Sequence, residues 1–254
     1  MPMTPLDHSA AVATETARLV AAVQDADPAT PVPTCPGWTL TDLVRHTGSV
    51  QRWFTVLLQQ RVQEPPRSRD VDLRLPEQAE DYPAWLAEAA AQAGETFAAT
   101  DLDAPMWAWG ADQHARFWVR RMLCETLVHR ADAELALGLK VDIDPALAAD
   151  AVAEFLTNLP YAVFFAPGTA NLRAENRTIR FTRTDGEDSW LVQLRPDGFA
   201  LTTDTTPGAA DATVSASAAD LLLLLYGRLD RTSGGVAVSG DDDLLELWFA
   251  NSAF

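Results

Sequence analysis

Three side chains of types that commonly bind divalent metal ions, His46, Glu125 and His129, fall at positions where a soluble helix usually buries an apolar residue. Glu125 and His129 are four residues apart, so a helix places them one turn apart on the same face, where one ion can bridge them. His46 belongs to another segment, in which Leu43 and Trp53 at helical spacing turn it inward as well. Three inward ligands from two helices leave one coordination position open, which is typical of catalytic rather than structural zinc sites.

Each of these residues also has an ordinary structural interpretation. An inward histidine is often hydrogen-bonded within the core, and a Glu and a His four apart on a helix are often a solvated surface pair. Burying a Glu beside a His is nevertheless costly unless another charge compensates it. The residues alone therefore leave both interpretations open, and it is the conjunction of all three that favours a metal site.

The metal ligands need helices to position them, and the first part of the chain is predicted to be helical. Helices are expected over residues 4–25, 38–60, 77–99 and 113–137. Thr4 and Pro5 are predicted to be the cap and the first-turn proline of the first helix, with Asp7 at its third position. Thr39 and Asp42 have the spacing of a capping box at the start of the second. Four helices with these connections predict an antiparallel four-helix bundle, in which facing helices supply ligand sites.

The periodicity changes to two after residue 160, which predicts a second domain of different class. Strands are expected over residues 178–183, 189–194, 198–203, 212–215 and 236–238, and helices over 217–226 and 241–250. Asp185 and Gly186 separate the first two strands as in a hairpin. The predicted class is α+β: residues 1–160 form the bundle with a linking helix at 145–159, and residues 161–254 form a small α+β domain.

The composition of the 254-residue chain excludes several classes of function. Because 36 acidic residues face 19 basic ones, the formal net charge is −17, which argues against binding nucleic acid or an anionic membrane. No apolar run approaches the roughly 18 residues needed to cross a bilayer, and the first ten residues do not have the pattern of a signal peptide. We therefore expect a cytoplasmic protein. Cys35 and Cys124 show no metal-binding spacing, and each is expected to be a plain buried thiol.

Two segments resemble the mycothiol-dependent maleylpyruvate isomerase family: CPGWTLTDLVRH, which ends at His46, and RRMLCETLVHRAD, which ends at Asp132. That family combines a DinB-like metal-binding four-helix bundle with a C-terminal domain similar to sterol carrier proteins. The resemblance covers nearly the whole chain, with LLLLLYGR, ending at Arg228, as the main match in the second part. It implies that His46, Glu125 and His129 hold a zinc-type ion.

The resemblance further implies that Asp132 serves the site and that Arg228 reaches toward it from the second domain. Asp132 is expected to orient a ligand or to bind the amino-sugar portion of the thiol, although a salt bridge to a nearby Arg is an equal alternative. Arg228 is expected to stabilise an oxyanion or a substrate carboxylate, although an Arg at a helix end often only caps carbonyls. Mycothiol, a low-molecular-weight thiol, is the implied cofactor or co-substrate.

The implied activity is that of a metal-dependent, mycothiol-dependent isomerase or S-transferase, in which a metal-bound thiolate attacks a small electrophile. Zinc is the first choice of metal. Three alternatives remain: the maleylpyruvate cis–trans isomerase itself, a thiol-independent hydrolase that uses metal-bound water, and a non-catalytic module that binds a small ligand. Thiol dependence of any activity would separate the two kinds of enzyme.

Overall fold

The computed structural model describes residues 6–66, 71–202 and 210–253, which form two compact units that divide between Val141 and Asp142. Within the described residues of the first unit, the long helices are α1 (His8–Val23), α2 (Leu40–Gln60), α3 (Tyr82–Ala99) and α4 (Ala115–Ala136). They form a four-helix bundle, as predicted, although the neighbours α2 and α3 run parallel rather than antiparallel. Throughout the described part of the chain, no helix is both long and apolar enough to span a membrane.

The first two helices differ in how well their starts were predicted. In α1 the N-cap is Asp7, whose carboxylate accepts a hydrogen bond of 3.0 Å from the backbone N–H of Ala10. The prediction that Asp7 is the third helical residue was therefore wrong, and Thr4 and Pro5 lie outside the described residues. In α2 the capping box is confirmed, because Thr39 and Asp42 accept hydrogen bonds from each other's backbone N–H groups at 3.3 and 3.0 Å.

Helices α2 and α3 are neighbours that run in the same direction. Arg52 donates a hydrogen bond to the Glu88 carboxylate at 3.1 Å, and about two turns further along both helices Gln59 donates to Thr96 at 2.9 Å. The connection between these helices spans residues 61–81 and includes a short 3-10 turn, Ala79–Asp81, so that α3 begins five residues later than predicted. A connection of this length allows the chain to return to the same end of the bundle before α3 starts.

Helices α2 and α4 run antiparallel, and this pairing positions the predicted site. The start of α2 lies beside the end of α4, where Leu43 and Ala133 belong to one buried cluster. Toward the other end, the rings of Phe54 and Trp118 lie 4.8 Å apart. Between them Gln51 donates a hydrogen bond of 3.1 Å to Thr126. Residues near 46 in α2 therefore face residues near 129 in α4.

The described residues of the second unit contain three helices beside a five-stranded sheet. The helices are α5 (Pro145–Asn158), α6 (Ala218–Leu225) and α7 (Asp242–Asn251). The strands are β1 (Arg177–Arg183), β2 (Ser189–Arg195), β3 (Gly198–Thr202), β4 (Ala212–Ala216) and β5 (Ala237–Gly240), in the order β3-β2-β1-β4-β5. The predicted hairpin is the antiparallel β1–β2 pair, whereas β1 and β4 are parallel. The α+β class is confirmed.

Helix α5 belongs to the second unit rather than linking it to the bundle. Its buried face packs against α6, where the ring of Phe155 lies 4.8 Å from that of Tyr226 at the end of α6. The compact units consequently divide at residue 141, about 20 residues before the boundary expected at 160. The change in periodicity marks where the strands begin, whereas the unit begins with the helix that covers part of its core.

Candidate metal centre

The three predicted metal ligands converge in the bundle. His46 projects from α2, Glu125 and His129 project from α4, and their potential ligand atoms all lie within 4.8 Å of one another. His46 Nε2 is 3.6 Å from Glu125 Oε1, and the two imidazole rings are 4.9 Å apart at their centroids. His129 is buried, while His46 and Glu125 are partly exposed. The cluster thus has a protein side, where it is fixed, and an open side, where a small molecule can approach.

Glu125 is held ionised by a cation one helical turn away. Arg121, which is buried, donates a hydrogen bond of 2.8 Å to Glu125 Oε2, leaving Oε1 to face His46. Burial by itself raises the pKa of Glu125, but the charge of Arg121 and the contacts with His46 and His129 outweigh burial and hold the pKa well below its ordinary value. A carboxylate that stays charged at neutral pH is suited to bind a cation.

Asp132 lies behind His129, on the side away from the cluster's opening. It is fully buried, and its Oδ2 atom is 2.9 Å from His129 Nδ1. Because a carboxylate accepts hydrogen bonds, this contact assigns the proton of His129 to Nδ1 and leaves the Nε2 lone pair available. Metal-binding histidines are commonly oriented by a carboxylate in this manner. The arrangement supports the interpretation of Asp132 as a residue that orients a ligand.

The loop before α2 brings two residues to the site that the sequence analysis missed. Cys35 Sγ lies 3.4 Å from Asp132 Oδ2, and Cys35, His129 and Asp132 form a second, entirely buried group of potential ligands. The ring of Trp38 lies 4.9 Å from the ring of His46 and 6.0 Å from that of His129. Cys35 is buried, as expected, but it is not isolated from the site. The signal in the sequence is that both residues belong to the segment CPGWTLTDLVRH, which carries the family resemblance and ends at His46.

Arg228 lies in the second unit, just after α6. Its guanidinium donates a hydrogen bond of 2.6 Å to the backbone carbonyl of Tyr226 and is 6.0 Å from the centre of the Tyr226 ring. This is the carbonyl-capping contact considered as its structural alternative. The expected reach of Arg228 toward the metal centre stays a prediction.

Comparison with known proteins gives the family. Residues 9–134 match the family model of the mycothiol maleylpyruvate isomerase N-terminal domain, and residues 146–247 match that of the MDMPI C-terminal domain. The chain belongs to the mycothiol-dependent maleylpyruvate isomerase family. The resemblance inferred from the two motif segments is therefore confirmed, and the two matches fall one in each compact unit.

Solved structures agree at the level of the fold. The mycothiol-dependent maleylpyruvate isomerase and its histidine-to-alanine mutant each align with 92% of this chain over 92% of their own length, with a TM-score of 0.57 and 13% sequence identity. At this identity the likeness establishes the helical domain followed by an α+β domain, and nothing about substrate. No curated protein matches the sequence.

Proposed function

We propose that this family member is a mycothiol-dependent isomerase or S-transferase that uses a divalent metal ion, zinc in the first instance, held by His46, Glu125 and His129. The observation that carries the proposal is the convergence of these three side chains from two helices to within 4.8 Å. Family membership supports the thiol, and Asp132 behind His129 supports the metal, because an oriented imidazole with a free Nε2 is what a metal centre requires.

The donor set fits a zinc-type ion. Bonds from zinc to nitrogen and carboxylate oxygen are about 2.1 Å, so two ligand atoms on one tetrahedral ion are about 3.4 Å apart. The 3.6 Å between His46 Nε2 and Glu125 Oε1 is close to this value, and the ligand atoms that lie up to 4.8 Å apart would have to move together when the ion binds. Two imidazoles and one carboxylate also suit nickel, iron or manganese. We expect zinc, with the other metals as substitutes.

Such an ion would lower the pKa of a coordinated thiol, ordinarily about 8.5, so that the thiol reacts as a thiolate at neutral pH. The partly exposed side, between His46 and Glu125, is where the thiol and a small electrophile would enter. The sulfur would then form a bond to one carbon of an activated double bond, and the π electron pair of that double bond would move toward the neighbouring carbonyl. In an isomerase the remaining single bond would rotate, and the electron pair would return from the carbonyl to re-form the double bond as the carbon–sulfur bond breaks and the thiolate leaves. In a transferase the adduct takes up a proton and departs.

Two residues outside the ligand set have proposed parts in this reaction. Asp132 orients His129, and its complete burial disfavours direct contact with the amino sugar of the thiol. Arg228 is proposed to bind a carboxylate or an oxyanion of the substrate, because a guanidinium forms paired hydrogen bonds with such groups. To do so it would have to exchange its hydrogen bond to the Tyr226 carbonyl for one to the substrate.

The thiol-independent hydrolase is the weaker alternative. It needs a general base for metal-bound water, and Asp132 is the carboxylate next to the proposed ligands that could take this role. That carboxylate is buried and engaged with His129 Nδ1, so it faces the wrong side of the imidazole to accept a proton from water at the opening.

The maleylpyruvate isomerase reaction itself is a narrower form of the proposal. The cytoplasmic location and the lack of binding to nucleic acid and membranes stay predictions.

Metal content tests the proposal. Protein purified without a metal-affinity tag is analysed by mass spectrometry, and the His46→Ala, His129→Ala double variant is compared with His114→Ala, whose imidazole instead pairs with Asp112 at 2.6 Å. We expect about one equivalent of a transition metal in the wild type and His114→Ala, and none in the folded double variant. Wild-type protein that stays metal-free when zinc is offered would refute the proposal.

Thiol dependence is the second test. Metal-loaded protein is assayed with maleylpyruvate and with a set of soft electrophiles, each in the presence and in the absence of mycothiol. Turnover that requires mycothiol supports the proposal. Hydrolysis at the same rate without any thiol would instead establish the hydrolase.

A further inference from the structure

One carboxylate oxygen links Cys35 to His129. Asp132 Oδ2 lies 2.9 Å from His129 Nδ1 and 3.4 Å from Cys35 Sγ. In the second contact the thiol of Cys35 is the donor and the carboxylate oxygen accepts. All three residues are buried, which strengthens each of these hydrogen bonds relative to the same bond in water.

The thiol is held in place by a tight loop rather than by a mobile segment. The backbone N–H of Cys35 donates to the Val32 carbonyl at 3.0 Å, the N–H of Trp38 donates to the Cys35 carbonyl at 3.0 Å, and the N–H of Val32 donates to the Trp38 carbonyl at 2.9 Å. Gly37 has a φ of +83°, which permits this reversal because glycine has no Cβ. The loop leads directly into α2, which bears His46.

The same loop contacts the site at two points. Trp38 packs against both imidazole rings, and Cys35 reaches past them to the carboxylate that orients His129. A buried carboxylate that accepts several hydrogen bonds is confined to one rotamer, since rotating it would break them together. Removing a donor would therefore loosen Asp132 and, through it, the direction of the His129 ring.

We infer that Cys35 is a positioning residue of the metal centre: its thiol fixes Asp132, which in turn orients His129 toward the ion. This inference rests on the proposed function. It assigns the thiol a role as hydrogen-bond donor and not as a ligand, and it predicts that serine, which keeps a donor at this position, can replace it whereas alanine cannot.

The test measures metal affinity by competition with a chromophoric chelator for zinc. We expect Cys35→Ala to weaken zinc binding about 3- to 10-fold, less than the roughly 10- to 100-fold typical of the group that contacts the metal-binding histidine directly. Cys35→Ser should stay within about 2-fold of the wild type. Cys124 is the other buried thiol and lies in α4, the helix that bears Glu125 and His129. Cys124→Ala is therefore the matched control and should not change the zinc affinity.

A double-mutant cycle with Asp132→Asn separates positioning from general loss of packing. If Cys35 acts through Asp132, replacing Cys35 with alanine should have little further effect on zinc affinity in the Asp132→Asn background. An equal effect of Cys35→Ala in both backgrounds would overturn the inference. So would a thiolate-to-cobalt charge-transfer band in the cobalt-loaded protein that disappears in Cys35→Ser, because that band would make Cys35 a ligand.

Metal binding by the wild type distinguishes failure of the proposed function from failure of the inference about Cys35. If the wild type binds no metal, the proposed function fails and takes the inference with it. If the wild type binds zinc and Cys35→Ala binds it equally well, only the inference fails.

Discussion

Gly48, two residues after His46, is a point of close contact between α2 and the Trp85 side chain of α3. A Cβ atom at this position would lie 2.2 Å from Cζ3 of the Trp85 ring, so the ring would have to move. Trp85 is buried, its indole N–H donates to the Leu73 carbonyl at 3.0 Å, and the guanidinium of Arg52 lies 5.0 Å from the ring centre. Replacing Gly48 with alanine therefore forces a tightly anchored side chain out of place.

The two opposing contributions can be compared in size. Alanine favours a helix over glycine by about 0.8–1 kcal/mol. Overpacking of a buried contact costs about 1–3 kcal/mol, and the indole hydrogen bond that is strained at the same time is worth about 1 kcal/mol. We expect Gly48→Ala to lower the free energy of unfolding by about 1–3 kcal/mol, despite the gain in helix propensity.

Gly94 in α3 is the matched control, because it is exposed and a Cβ there meets no atom within 4 Å. Gly94→Ala should raise the free energy of unfolding by about 0.5–1 kcal/mol. Urea denaturation followed by tryptophan fluorescence suits both variants, since six of the eight tryptophans (38, 53, 85, 107, 109 and 118) lie in the bundle. If Gly48→Ala proved as stable as Gly94→Ala, the close contact between α2 and α3 would be refuted.

Three further predictions concern other parts of the molecule. Asp132→Asn should weaken zinc binding about 10- to 100-fold, measured by chelator competition, and an unchanged affinity would contradict its orienting role. Because the pKa of Glu125 is held below its ordinary 4.5, the ionised form stabilises the metal-free fold above that pH, and this contribution is lost as the pH falls. Arg121→Met should therefore lower the free energy of unfolding most at neutral pH. Urea titrations should show that the difference in this free energy between variant and wild type shrinks below pH 4.5. Gly240 has a φ of +92°, and a Cβ at this position would lie 2.2 Å from a backbone oxygen. Gly240→Ala should therefore lower the free energy of unfolding of the second unit by at least about 2 kcal/mol, which calorimetry would detect as a lower melting temperature. An unaltered melting curve would show that β5 does not adopt this geometry.

Features that depend on neighbouring residues were predictable from the sequence. The spacing of Glu125 and His129 fixes their shared helix face, and the pair Thr39 and Asp42 fixes the start of α2, because both follow from the geometry of one helix turn. The β1–β2 hairpin followed in the same way from two alternating runs around a turn. The start of α1 was misplaced because Thr4 and Asp7 are both good caps, and local sequence does not decide between them.

Features that depend on packing between distant segments were not predictable. The contact of Cys35 with Asp132 joins residues 97 positions apart, and nothing in either segment specifies it. The parallel direction of α2 and α3 depends on the path of a long connection that has no recognisable code. The existence of α5 was evident from its sequence, but its assignment to the second unit depends on the face of α6 that it covers.

The indole of Trp38 has a practical consequence for anyone who studies this protein in solution. Its ring lies 4.9 and 6.0 Å from the two imidazoles proposed to bind the metal, so an open-shell ion such as cobalt or nickel bound between them would quench its emission at very short range. Zinc, which has a filled d shell, would not quench in this way. Its binding could be followed through the recovery of the emission when zinc displaces the quenching ion. The bundle thus contains its own optical probe of occupancy, which can be read without a label and isolated from the other tryptophans by comparison with Trp38→Phe.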